Sequence, residues 1–552
     1  MTLHSAVVER LARLAPDQRD AATASPGPIL CVAPAGSGKT TTLVARIAWL
    51  LASGAARPGC VAAITFNKRA ADELEERLAA ALAPLGLGAD AARVRTFHAL
   101  GLEILRDAGE RVEPLVDRID VLRRIAPEIG PPGWRRLDTA FSKLKLDLGV
   151  TAEDVATDPE PGPIARAFVA YEGELAAEGG LDFDDLVARC LRVLERRPDV
   201  LERWRGRCVD LLVDEAQDLD RAQLRMALLL AAPANRIFLV GDDDQSIYGW
   251  RLADVRRVLS LAEALPGLRR VDLVVNYRCP GVVVERAVRL VEHNLERFAK
   301  TIRAGPRAAG RVVLAADAGD EVVRAGRVLA SWRGQDGTQA VLTRTNRELL
   351  PAIAAALADG LPFRTPPVEL LVASPEVEAC LAAAAATSEA LPLAVRLEAV
   401  RSAWATDPRD PAADPDAVPR ATIAAAVLAW AAGRPDLDAL RTAIDARRRA
   451  LIELCRDDAP LTFATAHATK GLEFDDVAVL GMERGRFPSA RSLADAPEPA
   501  RALEEERRLA YVAWTRARRS LTLVYDPATP SSFLLEAFDP DELGLPADLD
   551  AA

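Results

Sequence analysis

The densest chemistry in the chain lies in VGDDDQSIYGWR, residues 240–251. An apolar strand, RIFLV (236–240), ends in GDDDQ, whose carboxylates and amide sit where a phosphate could be read. SIYGWR then presents Tyr248, Trp250 and Arg251, residue types that stack on bases and hold backbone phosphates. One short segment can thus face both a nucleotide and a strand of nucleic acid.

Three further segments carry phosphate chemistry. APAGSGKTTTL (33–43) follows the strand PILCV and opens a helix, the setting a phosphate-binding loop needs. Around Ser37, Gly36 and Gly38 let backbone N–H groups approach phosphate oxygens, while Lys39 reaches the outer phosphates as a point charge. Thr40 offers a hydroxyl to Mg²⁺. The strict pattern begins with glycine, and here Ala33 stands first. VDEAQD (213–218) ends another strand in adjacent carboxylates: Asp214 suits the metal shell, and Glu215 can orient and deprotonate a water. Buried neighbouring carboxylates are costly without a cation, which favours a metal. Arg278 in VVNYRC and Arg516 in LAYVAWTRARR can each neutralise charge on a transferred phosphoryl group or form an ordinary ion pair.

Positioning these groups requires parallel α/β architecture, and apolar strands do alternate with helical stretches. PILCV (28–32), CVAAITF (60–66), CVDLLVDEAQD (208–218), RIFLVGD (236–242) and VDLVVNYR (271–278) form a first set. RVVLAA (311–316), QAVLTRT (339–345), LTFATAH (461–467), DVAVLG (476–481) and SLTLVY (520–525) form a second. A charged helical stretch interrupts the first set, and an alanine-rich one, broken by TDPRDPAADPDAVPR (406–420), interrupts the second. The expectation is two α/β cores, each with one mainly helical insertion. The first core takes 1–102 and 198–276 with its insertion at 103–197. The second takes 277–370 and 460–540 with its insertion at 371–459, and 541–552 reads as a disordered tail.

Composition narrows the classes. A chain of 552 residues exceeds one core and suggests about two to four domains. It contains no uncharged apolar run of about 18 residues, so no membrane span is expected. Its N-terminus is charged where a secretory core would be apolar, and a cytoplasmic location is expected. Seven cysteines without a CxxC pair argue against a zinc or iron–sulfur site. With a net charge of −11, any nucleic-acid groove must be a basic strip on an acidic body, with strongly salt-dependent affinity.

The order of segments resembles superfamily 1A DNA helicases of the UvrD/Rep/PcrA type. LARLAPDQRDA is similar to the Q motif, APAGSGKT to motif I, AITFNKRAADEL to motif Ia and VRTFHALG to the TFH segment. LDFDDL resembles the acidic motif ahead of motif II, VDEAQD motif II, VGDDDQSIYGWR motif III and NYRC motif IV. AVLTRTN resembles the segment after it, TAHATKGLEF (465–474) motif V, and EEERRLAYVAWTRA (504–517) motif VI. The resemblance implies two RecA-like P-loop NTPase domains binding ATP and Mg²⁺.

By the same resemblance, Gln18 would read the adenine edge, Tyr277 would stack on adenine and Glu473 would lie near the ribose. Gln245 would sense the γ-phosphate, and Arg278 and Arg516 would reach it from the second lobe. Phe66, Asn67, Thr96, His98, Tyr248, Trp250, Arg251, Thr465, His467 and Lys470 would contact single-stranded DNA. Thr41 stands where many members carry an adenine-stacking arginine, and the second insertion is short for a full 2B domain. The implied activity is 3′→5′ translocation and DNA unwinding in repair or related processing, on single strands and duplex junctions. The alternative is a DNA-stimulated ATPase subunit that needs a protein partner, through 2B, to unwind.

Overall fold

The computed structural model of the protein describes residues 3–157, 160–306, 309–366, 372, 374–405 and 420–544. The chain divides into two units, residues 1–308 with 504–511, and residues 309–503 with 512–552.

The first unit is built on six strands: β1 (Ile29–Val32), β2 (Val61–Thr65), β3 (Ala92–Thr96), β4 (Asp210–Val213), β5 (Ile237–Gly241) and β6 (Arg269–Asp272). All pair in parallel, in the order β3-β2-β4-β5-β1-β6. The central strands are buried along their whole length, as a sheet covered on both faces requires. Their side chains alternate between two cores. Leu30, Ile64, Leu211 and Leu239 pack with the helices Phe97–Asp107 and Asp185–Arg196. Ile29, Cys31, Ala63, Leu212 and Phe238 pack with the helix Lys39–Ala52. Because the strands are parallel, their C-terminal ends share one edge, where ligands meet such sheets. The neighbouring strands β4, β5 and β1 therefore deliver DEAQD, GDDDQ and APAGSGKT side by side.

VDLVVNYR, expected as one strand, is two. β6 ends at Asp272; the Val274 N–H then donates to the Asp17 carboxylate, and β7 (Val275–Asn276) pairs instead with β8 (Arg303–Ala304). That pairing, with contacts from Asn294 and Lys300, ties 273–304 to the first unit, whereas the sequence placed the domain boundary at 276. The strand β3 went unread because ARVRT alternates charged and apolar residues at the sheet's edge. The first insertion has its own core of Val121, Leu122, Phe141, Val155, Phe168, Tyr171 and Leu175.

The second unit repeats the plan with β9 (Arg311–Ala316), β10 (Gln339–Thr343), β11 (Phe363–Arg364), β12 (Leu461–Thr465), β13 (Phe474–Val479) and β14 (Ala517–Tyr525). These are parallel in the order β11-β12-β10-β13-β14-β9. Its insertion contains the helices Pro375–Ala385, Leu393–Ala405, Arg420–Trp430 and Leu437–Leu454, packed around Val377, Leu381, Leu397, Val427 and Ile444. Residues 406–419 of the Pro/Asp loop and 545–552 of the expected tail lie outside the described residues. The segment Pro540–Leu543 forms a 3₁₀ turn that anchors through one residue: Leu543 is buried and its carbonyl accepts from the Tyr525 hydroxyl, while Asp541, Glu542 and Gly544 are exposed. Among the described residues, no helix is long and apolar enough to cross a membrane.

Candidate nucleotide site and nucleic-acid interface

The loop after β1 needs glycine for two reasons. Gly36 and Gly38 have φ of +68° and +82°, values that side chains disfavour. Their surroundings are also full. A Cβ at Gly36 would fall 2.6 Å from Asn276 Oδ1 and 2.7 Å from Arg278 Cβ, and one at Gly38 would fall 2.6 Å from Gln18 Nε2. The NYRC segment is stitched to this loop. The Tyr277 N–H donates to the Gly36 carbonyl (2.8 Å), and Asn276 Oδ1 accepts from the N–H groups of Arg278 and Cys279. Gln18 is buried and donates to the Ser37 carbonyl at 2.8 Å. Thr41 and the Tyr277 ring are exposed.

The Ser37 hydroxyl is buried without a hydrogen-bond partner. Such a group inside a glycine cradle is satisfied by a phosphate oxygen, so the loop fits a nucleotide. Glu215 adopts φ +50°, strained for a side chain with a Cβ and typical of functional turns. That turn brings its carboxylate 3.7 Å from the Lys39 ammonium, and Gln217 Nε2 holds it at 2.6 Å. Asp214 is buried at the end of β4, with its Oδ1 accepting the Glu215 N–H.

GDDDQ departs from its sequence reading. Asp242, Asp243 and Asp244 do not present carboxylates to a ligand; the buried Lys300 ammonium lies 2.7, 2.5 and 2.8 Å from them. Arg297 also pairs with Asp244 through two bonds of 2.9 Å. Burial alone would lower the Lys300 pKa, but Asp242, Asp244 and Asp243 outweigh it and raise it. Lys300 and Arg297 escaped the sequence reading because they lie more than 50 positions from their partners. Gln245 donates to Asp242 Oδ2 at 2.5 Å.

Immediately downstream, Tyr248 stacks on Phe66 with ring centroids 5.0 Å apart and planes 9° apart. Trp250 meets Tyr248 edge-on at 6.1 Å, remains 57% exposed, and carries the Arg251 guanidinium over its ring at 4.9 Å. Leu252, with φ +68°, ends this turn. His98 stacks at 4.0 Å on Phe183, a ring 55% exposed. Burial pushes His98 down to about 4, and Arg251 reinforces this against Asp184, so the imidazole is a neutral stacking surface at pH 7. Phe183 was missed because the acids of LDFDDL drew the reading; a phenylalanine flanked on both sides by aspartates was the available signal. Asn67 and Thr96 serve as helix caps, accepting from the Ala70 and Ala99 N–H groups.

In the second unit, Thr465 closes β12, and His467 and Lys470 follow within one short turn. Burial and then Arg344 push His467 down to about 3. Exposed Glu473 pairs with Arg518 at 3.3 Å. Arg516 is buried, donating to the carbonyls of Val512 (2.8 Å) and Leu472 (3.1 Å).

Residues 14–266 match the UvrD/REP helicase N-terminal domain, and residues 451–527 match the UvrD-like helicase C-terminal domain. The chain belongs to the UvrD-like helicases. It is 34% identical over 298 residues to the ATP-dependent DNA helicase PcrA of Staphylococcus aureus, a match covering 51% of this chain and 40% of that protein. PcrA of Bacillus subtilis is 33% identical over 312 residues, covering 53% and 41%. PcrA of Staphylococcus epidermidis is 34% identical over 299 residues, covering 51% and 40%. The UvrD-like chain thus matches about two fifths of the length of these curated relatives.

Proposed function

We propose that this UvrD-like chain is an ATP-driven motor that tracks single-stranded DNA 3′→5′ and unwinds duplexes in repair or related processing. The observation that carries this reading is the continuity of residues 245–251. Gln245 ends the acidic turn at the nucleotide edge, and Tyr248, Trp250 and Arg251 form a partly exposed aromatic and cationic platform. Sequence-tolerant strand binding needs such rings and sparse cations. The direction, the repair setting and the DNA-over-RNA choice rest on family resemblance.

The chain's residues divide the work. Gly36, Ser37 and Gly38 wrap the phosphates, Lys39 neutralises the outer ones, and Tyr277 offers an exposed ring to the base. Thr40 and Asp214 would hold Mg²⁺, which when bound supplies positive charge to the phosphate oxygens. Glu215, held by its backbone turn and Gln217, takes the proton of the attacking water at a carboxylate oxygen. Arg278, beside Gly36, is assigned to charge developing on the transferred group, and Arg516 carries the same assignment by family resemblance alone. Every cysteine is a free thiol, which fits a reducing compartment such as the cytoplasm.

The test is ATP hydrolysis with and without oligo-dT, beside unwinding of 3′-tailed and 5′-tailed duplexes. Stimulation with unwinding of the 3′-tailed duplex alone supports the proposal; no stimulation by DNA overturns it. Stimulation without unwinding selects the second reading, a motor subunit that needs a protein partner. The observation favouring that reading is Ile452, 79% exposed on the last helix of the second insertion.

A further inference from the structure

We infer that Arg118 and Lys145, inside the first helical insertion, are positioning residues for strand binding: they clamp the turn Leu181–Asp185 so that Phe183 meets His98. The inference rests on reading the His98–Phe183 pair as part of the DNA platform.

Phe183 is the outward-facing member of a turn whose neighbours are fastened inward. Asp182 Oδ2 accepts from Arg118 Nη2 (2.8 Å), Lys145 Nζ (2.8 Å) and the Tyr171 hydroxyl (2.8 Å). Asp184 Oδ2 accepts from Arg118 Nη2 and Ser142 Oγ, both at 2.6 Å. Asp182 and Asp185 lock the backbone between them, each carboxylate accepting the other's N–H. Residues on both sides of Phe183 are thereby held by four stretches of the insertion, namely Arg118–Ile125, Gly130–Ser142, the π-helical Lys143–Leu148, and Pro163–Glu178.

The centre of this cluster resembles a metal cage. Ligand atoms of Glu172, Asp182 and Asp185 lie within 4.8 Å of one another. The Lys145 ammonium fills it, 2.6, 2.8 and 3.1 Å from the three carboxylates. A lysine does what a bound cation could not, because its stem fixes the insertion to the turn. Buried ion clusters rarely stabilise a protein more than apolar packing would, so their use is geometric specificity. Here the geometry on offer is a ring held 55% exposed, 4.0 Å from His98. A π-helical stretch at the source of the lysine is a further mark of a functional site.

A double-mutant cycle tests the inference, read as oligo-dT affinity by fluorescence anisotropy at fixed low salt, with melting temperature and DNA-independent ATPase measured alongside. Phe183→Ala is expected to weaken binding roughly tenfold, since one base–ring stack carries about that much. Lys145→Met is expected to weaken it roughly fivefold while basal ATPase holds. In the Phe183→Ala background, Lys145→Met should then add less than about twofold, because its effect passes through the ring. Full additivity, or a Lys145→Met protein that binds as wild type, overturns the inference. If Lys145→Met does not fold, Ser142→Ala, which removes only one bond to Asp184, takes its place in the cycle, and additivity or wild-type binding overturns the inference there too. Loss of the inference through an inert Phe183→Ala leaves the motor proposal standing, whereas wild-type protein that ignores oligo-dT removes both.

Discussion

The Glu505 carboxylate accepts a hydrogen bond from the backbone N–H of Gly249 at 2.8 Å, at the turn between Tyr248 and Trp250. A Cβ at position 249 would lie 2.6 to 2.9 Å from that carboxylate, so glycine is what lets the acid approach. Glu505 belongs to the helix Pro499–Trp514, whose end leads to Arg516. Gly249→Ala should displace Trp250 and weaken oligo-dT binding several-fold. Glu505→Gln keeps an acceptor and should bind within about twofold of wild type, while Glu505→Ala should behave like Gly249→Ala. Equal affinity for all three would refute a role for this bond.

Glu215 combines a strained backbone with the chemistry assigned to it. Glu215→Gln should lower ATP turnover by roughly 10²–10⁴ and leave nucleotide binding intact. Glu215→Gly should be equally inactive yet more stable, by about 1 kcal/mol, because glycine relieves the φ of +50°. A thermal melt of both variants beside an ATPase assay separates strain from chemistry.

Asp220 caps the helix Arg221–Ala231 through the Gln223 N–H at 2.8 Å, and it is buried. Burial pushes its carboxyl up from 3.8 to about 7; Asp184 adds to this, while backbone hydrogen bonds and Arg257 oppose it. A raised folded pKa means stability fully present below about 3.8 and lost as pH rises through 7. Asp220→Asn keeps a capping oxygen and cannot ionise. Its stability relative to wild type should therefore increase between pH 5 and pH 8, by up to about 1.4 kcal/mol per unit. Urea midpoints at the two pH values decide it; a constant difference contradicts the assignment.

His98 and His467 shift the opposite way, down to about 4 and about 3 by burial. The unfolded chain takes up these protons near pH 6.5 and the folded chain does not, so their contribution is full above about 6.5 and lost as pH falls towards 4. Between pH 8 and 6, strand affinity should show no histidine step. His467→Gln should flatten the fall in melting temperature between pH 6.5 and 5 relative to wild type.

Much of the candidate site was legible because the residues proposed for phosphate chemistry lie close together in sequence. Gly36, Lys39, Asp214 and Glu215 announce themselves within single short segments that end apolar strands, and the strands were readable because a doubly covered sheet makes them continuously apolar. What escaped was long-range or polar. ARVRT pairs as β3 although its alternation suits an exposed edge, and VDLVVNYR breaks where Asp17, far away in sequence, takes its N–H. The carboxylates of GDDDQ looked like ligands because the cation that satisfies them, Lys300, is 56 to 58 positions away. Arg118 and Lys145 were invisible for the same reason, and with them the meaning of Phe183.

Between Gln245 and Tyr248 stand only Ser246 and Ile247, both buried, with the Ser246 hydroxyl fastened to the Gln217 carbonyl. This link behaves as a connecting rod with no slack. At roughly 3.3–3.6 Å per residue, its full length is about that of a single side chain, too short to absorb a displacement by bending. Under the proposed function, substitutions at either end would change what is gripped. Only a change in rod length, such as one extra residue after Ile247, would alter the timing between the two grips while leaving each intact.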